Sequence, residues 1–340
     1  MGLISETYPE VRSVHSDSPI AFWATGPGAG DLRDETAVAP AVGEVLVRTL
    51  YTGVSRGTES LVLRGEVPSS ESQRMRAPFQ AGEFPFPVKY GYLNVGVVEQ
   101  GPARLVGTTV FTLYPHQSSF VVPIAAVTPV PSGVPARRAL LAGAVETAIN
   151  VLWDAAPLIG DRITVVGAGM IGCAIARLAC GIPGVEVRLV DVDPAKSITA
   201  RALGVGFASP ETAVNDRDIV IDASGTQEGL QLALRLAATD GAVVVASWFG
   251  SRPVQLELGA DFHSRRLTVK SSQVGAVAQA RHTRRTTRER LELALRLLAD
   301  PAFDALLTDT SPWTQLPAVM ASIADGSSHA ICHTIDWMSS

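Results

Sequence analysis

With 340 residues, 46% hydrophobic and 18% charged, the chain is long enough for two domains and too apolar to be disordered. A formal net charge of −5 argues against a general nucleic-acid or membrane binder. Its three cysteines, Cys173, Cys180 and Cys332, lack C-x-x-C spacing, which argues against a disulfide framework and a four-cysteine zinc site.

Met1 to Trp23 mixes Glu, Arg, His and Asp with short apolar pieces and has no apolar h-region, so export is not expected. No run of about 18 apolar residues occurs, so no membrane span is expected and the default setting is cytoplasmic. Val45-Leu46-Val47 with Thr49, Val97-Val98 and Val110-Phe111 are short β-branched or aromatic runs. Gly26-Pro27-Gly28, Gly101-Pro102 and Pro131-Ser132-Gly133-Val134-Pro135 punctuate them. Strands this closely spaced suggest a small barrel or sandwich. Arg137 to Trp153 then reads as one helix bridging two domains.

From Asp161 the texture changes. Ile163–Val166, Val187–Val190, Asp218–Asp222, Ala242–Ala246 and Leu267–Val269 read as strands. Met170–Cys180 reads as a helix with Ile171, Ile175 and Leu178 on one face, and another carries Leu230, Ala233, Leu234 and Ala237. Strands alternating with helices predict a parallel sheet covered on both faces. A later helix opens on the capping box Thr286-x-x-Glu289 and turns Leu291, Ala294, Leu295 and Leu298 inward. The arginines of the 281–290 stretch are read as a solvated helix start, or as a clamp on cofactor phosphates or an acidic substrate group.

Gly167-Ala168-Gly169-Met170-Ile171-Gly172 fits G-x-G-x-x-G between a predicted strand and a predicted helix, the context that gives the pattern meaning. Gly167 permits the tight turn, Gly169 lets backbone approach a diphosphate, and Gly172 lets helix and strand pack closely. The N–H groups at Met170 and Ile171 and the helix dipole favour phosphate. Asp191 stands 24 residues after Gly167, where a carboxylate accepts hydrogen bonds from ribose hydroxyls and repels a 2′-phosphate, with its neighbour Asp193 the alternative for sharing or taking this role. The cofactor expected is therefore NAD(H) rather than NADP(H). Ser224 and Gly225, beyond the end of another strand, are read either as ribose neighbours or as a simple strand-to-helix turn.

This order of parts resembles the medium-chain dehydrogenase/reductase superfamily over nearly the whole chain. Phe86 to Glu99 is similar to its P-x-x-x-G-H-E-x-x-G-x-V stretch, Gly53 to Glu59 to its G-x-C-G-T-D stretch, and Thr147-Ala148 to the pair beside the nicotinamide. Ser55–Glu59, Lys89–Tyr92, Tyr114–Gln117, and the run from Arg265 through Gly275 resemble the branch containing bacteriochlorophyllide a 3-hydroxyethyl dehydrogenase. The resemblance implies an α/β fold: a Rossmann doubly wound parallel sheet plus a GroES-like β-rich catalytic domain. The domains would be 1–146, 147–276 and a return over 277–340, with a homodimer.

The zinc ligands of superfamily alcohol dehydrogenases correspond here to Ser55 or Arg56, Tyr92 and Gly143, which are not zinc donors at neutral pH. No zinc is expected; Glu59, His116 and Glu146 are the donors that could regroup into a different site. The catalytic candidates are Tyr92 and His116 for proton movement, Ser55 and Arg56 lining the cleft, and Glu146 facing the nicotinamide. Thr147 is a cofactor contact. The expected activity is zinc-independent hydride transfer between NAD(H) and a secondary alcohol or ketone of a small or medium-sized metabolite. An NAD(P)H-dependent alkene or quinone reductase, or a non-catalytic dinucleotide-binding scaffold or redox sensor, are the alternatives.

Overall fold

The computed structural model describes residues 18–339. The expectation that Met1 to Trp23 carries no signal falls largely on residues 1–17, outside the described residues. No helix of the described residues is long and apolar enough to cross a membrane.

Six parallel strands form one sheet, in the spatial order Gly206–Ala208, Glu186–Val190, Arg162–Val166, Arg217–Asp222, Ala237–Val245, Thr268–Ser271. The strand that comes first in the chain stands third in the sheet, and the order reverses beside it. That is the doubly wound arrangement of dinucleotide-binding folds. Both faces are buried, which explains the unbroken apolar runs. Ile163, Val165, Leu189, Ile219 and Ile221 pack toward the helices Ala142–Ala155, Met170–Ala179 and Thr287–Leu297. Val166, Val190, Val220 and Val243 pack toward Gln227–Leu236.

The remainder is β-rich and GroES-like. A seven-stranded sheet runs Leu307–Pro312, Cys332–Asp336, Glu44–Ser55, Asn94–Gln100, Thr109–Thr112, Val127–Pro129, with Ser119–Pro123 also pairing with Glu44–Ser55. A four-stranded sheet holds Ala29–Asp34, Ile20–Gly26, Val88–Lys89 and Ala81–Gly82. The C-terminal strand pairs antiparallel with the end of Glu44–Ser55, from Cys332 opposite Ser55 to Asp336 opposite Tyr51. The end of the chain thus braces the strand that leads to Ser55.

The single helix expected over Arg137 to Trp153 is two, Ala136–Ala139 and Ala142–Ala155. Between them Leu140 and Leu141 donate to carbonyls only three residues back. This tighter winding buries both leucines, which adjacent positions of one regular helix turn to different sides. The expected boundary at residue 146 falls inside the second helix. The Thr286–Glu289 capping box is formed as read.

Candidate functional site

The glycine turn is shaped by contacts that exclude side chains. Gly167 has φ of 101°, and an added Cβ would lie 2.7 Å from backbone of Ala223 and Ser224. At Gly172 it would lie 1.9 Å from the Gly167 carbonyl oxygen. Gly169, by contrast, faces open space and N-caps the helix without a side-chain cap. The first-turn N–H groups at Met170, Ile171 and Gly172 have no partners within the helix, which makes this open side a natural anion seat.

Asp191 reaches back to this turn. Its Oδ2 accepts the Ala168 N–H at 2.7 Å and its Oδ1 the Asp193 N–H at 2.9 Å. The carboxylate is thereby fixed at the edge of the crevice where the strand order reverses. Across that crevice, Ser224 donates its N–H (3.1 Å) and hydroxyl (2.6 Å) to Asp222 Oδ1, and Gly225 donates its N–H to Ser247 Oγ at 2.9 Å. Glycines, Asp191, Ser224 and Gly225 therefore converge on one crevice at the carboxyl ends of the central strands.

A second constellation lies in the β-rich part, where Ser55, Tyr92 and Gly143 come together. A Cβ on Gly143 would stand 2.7 Å from Cδ2 of Leu93 and 4.0 Å from Cδ2 of Tyr92, so the edge of the Tyr92 ring lies near Gly143. The Ser55 and Thr58 side chains lie near enough to the Tyr92 phenol to favour its ionised form. Burial first, and then the nearby Glu59 carboxylate, push its pKa up, which keeps the phenol protonated.

His116 and Glu59 are each 1% exposed. His116 Nε2 lies 2.7 Å from Glu59 Oε1, and Nδ1 lies 2.7 Å from Thr52 Oγ1. Trp337 donates its indole N–H to that same Thr52 oxygen at 3.0 Å, leaving the threonine hydrogen for Nδ1. Both ring nitrogens are engaged, with the Glu59 carboxylate as the acceptor facing Nε2. The other Glu59 oxygen accepts the Ser55 N–H. His116 is thus a buried brace for the Ser55 loop, whereas a loop position had suggested direct proton exchange. Thr52 and Trp337 carry no sequence signal for this role, because they meet His116 only through sheet pairing.

Glu146 departs from its reading. Arg290 Nη2 lies 3.0 Å from Glu146 Oε1, and Arg290 Nε donates to the same oxygen at 3.1 Å. Arg290 also bonds Asn150 Oδ1 and the carbonyls of Val274 and Ala276. The Glu146 carboxylate is consumed by a structural ion pair and faces the helix Thr287–Leu297. Arg290 is correspondingly buried, whereas Arg281, Arg284, Arg285 and Arg288 are exposed, as in a solvated helix start. Thr147 donates its hydroxyl back to the Gly143 carbonyl at 2.9 Å. Arg56 is exposed in the turn after Ser55, with no ion pair among the described residues.

Zinc does not fit this donor set. Among the described residues no three His, Cys, Asp or Glu side chains cluster as metal ligands. Ser55, Tyr92 and Gly143 offer no thiolate or imidazole, and both His116 nitrogens are engaged.

No protein-family model matches the chain, and no curated protein matches it in sequence. Solved structures do match in fold. A short chain alcohol dehydrogenase from Escherichia coli CFT073, complexed with NADH, is 17% identical with a TM-score of 0.74, covering 95% of this chain and 100% of its own. Acetophenone reductase from Geotrichum candidum, in complex with NAD, is 17% identical with a TM-score of 0.74 over 96% of this chain and 99% of its own. L-idonate 5-dehydrogenase from Escherichia coli is 15% identical with a TM-score of 0.76, over 94% and 98%. At such identities the likeness establishes the shared fold: a Rossmann parallel sheet joined to a GroES-like β-rich part.

Proposed function

We propose that the chain is a zinc-independent, NAD(H)-dependent oxidoreductase that moves hydride between nicotinamide and a secondary alcohol or ketone of a small or medium-sized metabolite. The observation that carries this reading is the Asp191 carboxylate, fixed 2.7 Å from the Ala168 N–H at the edge of an open glycine turn. The fold shared with NADH- and NAD-complexed dehydrogenase and reductase structures supports it.

The residues divide the work. Gly169 and the N–H groups at Met170, Ile171 and Gly172 receive the diphosphate, Asp191 accepts from the adenosine ribose, and Ser224, Gly225 and Thr147 line the far end. The bound coenzyme supplies or takes up hydride. Tyr92, kept protonated, donates a hydrogen bond to the substrate oxygen, with Ser55 and Thr58 orienting the phenol. Arg56, exposed and without an ion pair among the described residues, is available to an anionic substrate group. Glu59 and His116 hold this loop in place.

A β-rich domain and a Rossmann domain are our proposed division, with the first boundary moved from residue 146 to the start of the helix Ala142–Ala155 and the helix Thr287–Leu297 counted with the parallel sheet, and a homodimer is our proposed assembly. The exposed edge strand Thr268–Ser271 supports the dimer.

The test is turnover with NADH or NAD+ across secondary alcohols, ketones and activated alkenes, alongside metal analysis. Ketone or alcohol turnover by metal-free protein is expected. Stoichiometric zinc, or reduction of C=C with the carbonyl retained, overturns the proposal. Tight coenzyme binding without any turnover points to a scaffold or sensor.

A further inference from the structure

Asp222 ends the strand Arg217–Asp222 and pairs with Val166, the last residue before the glycine turn. It is 0% exposed. Its Oδ1 accepts both Ser224 donors, but its Oδ2 has no hydrogen-bond partner among the described residues. Among the described residues the groups that bear on its ionisation are the Ser224 and Ser247 hydroxyls and the Ser224 N–H, with no cation among them. A buried, half-satisfied carboxyl costs stability where a valine would not.

What the carboxyl holds is the turn that meets the phosphate seat. Ala223 donates its N–H to the Val166 carbonyl at 2.8 Å, and the Ala223–Ser224 backbone lies where a Gly167 Cβ would be. Ser247 closes the other side, donating to the Asp222 carbonyl at 3.3 Å while accepting from Gly225. The Ser224 turn has Oδ1 as its acceptor from within the sheet; Gly225 is bonded only to the neighbouring loop.

We infer that Asp222 is a positioning residue for the coenzyme, fixing the Ala223–Gly225 turn against Gly167 so that the diphosphate seat is formed before the coenzyme arrives. This rests on the coenzyme reading above. The geometry requires an acceptor at Oδ1, and an amide oxygen provides one.

The experiment is NADH titration of the intact wild-type chain, Asp222→Asn and Asp222→Ala, with thermal melts of the same coenzyme-free proteins. Asp222→Asn is expected to bind within about threefold of wild type. Asp222→Ala is expected to bind about tenfold more weakly with little change in melting temperature, since the half-exposed Ser224 donors it releases can turn to water while the desolvated oxygen is lost. Equal affinity in Asp222→Ala overturns the inference, as does a loss of affinity matched by a fall in melting temperature, which marks a merely structural role. A loss in Asp222→Asn as large as in Asp222→Ala overturns it too. If wild type itself binds no NADH, the coenzyme reading fails and this inference with it.

Discussion

Arg290 and Glu146 form a buried ion pair, with Nη2 3.0 Å from Oε1, that ties the helix Thr287–Leu297 to the helix Ala142–Ala155. Burial pushes the Glu146 carboxyl up and Arg290 pulls it back. Arg290→Ala strands a buried carboxylate and should cost about 3–5 kcal/mol in urea denaturation. Glu146→Gln should keep kcat within about threefold, because its oxygen meets Arg290 rather than a reacting group. A collapse of kcat in a folded Glu146→Gln protein would return this residue to the catalytic machinery.

Tyr92→Phe removes the donor proposed to polarise the substrate oxygen and keeps the ring near Gly143. The expected result is a fall in kcat of about a hundredfold with an unchanged Kd for NADH. Steady-state kinetics beside a coenzyme titration separates the two quantities. Undiminished kcat would assign Tyr92 to cavity filling.

His116→Ala takes one partner from the Glu59 carboxylate and one from Thr52. A stability loss of about 1–3 kcal/mol is expected, with lower kcat and intact coenzyme affinity. The check is chemical denaturation together with NADH binding. Wild-type stability in this variant would contradict the brace.

Asp191→Ser removes the ribose acceptor and the charge that repels a 2′-phosphate. NADH affinity should fall about tenfold and NADPH affinity should rise. Binding isotherms for both coenzymes read this directly, and an unchanged preference would move the determinant elsewhere.

The Asp222 carboxyl is held above the usual carboxylate range, chiefly by burial. The folded chain therefore favours its protonated form. Its stabilising contribution is fully present below the unfolded pKa, about 3.9, and is lost as pH rises through the folded value. Asp222→Asn does not ionise, so its stability relative to wild type should improve between about pH 4 and pH 7. Urea midpoints at both pH values provide the measurement; a fall in the stability of Asp222→Asn relative to wild type as pH rises contradicts the assignment.

The phosphate turn was legible because its information is local. Gly167, Gly169, Gly172 and Asp191 lie within one strand-helix-strand segment, where period and spacing dictate position. The helix Lys196–Ala202 and the strand Gly206–Ala208 within the same sheet were not read, being short and weakly patterned. The strands Leu307–Pro312 and Cys332–Asp336 carry little local signal: the first is almost wholly polar and pairs with the second, and the second takes its place by pairing with a strand some 280 residues earlier.

By itself, then, the sequence determined the parallel sheet, the glycine turn and the acid beside it, since each follows from residue type and short-range spacing. Only the tertiary structure decided that Glu146 belongs to Arg290, that His116 belongs to Glu59 and Thr52, and that Asp222 lies under the Ser224 turn. Whether a buried ionisable group is free to react or is already engaged depends on which partner packing brings within about 3 Å, and distant partners leave no periodic trace in the chain.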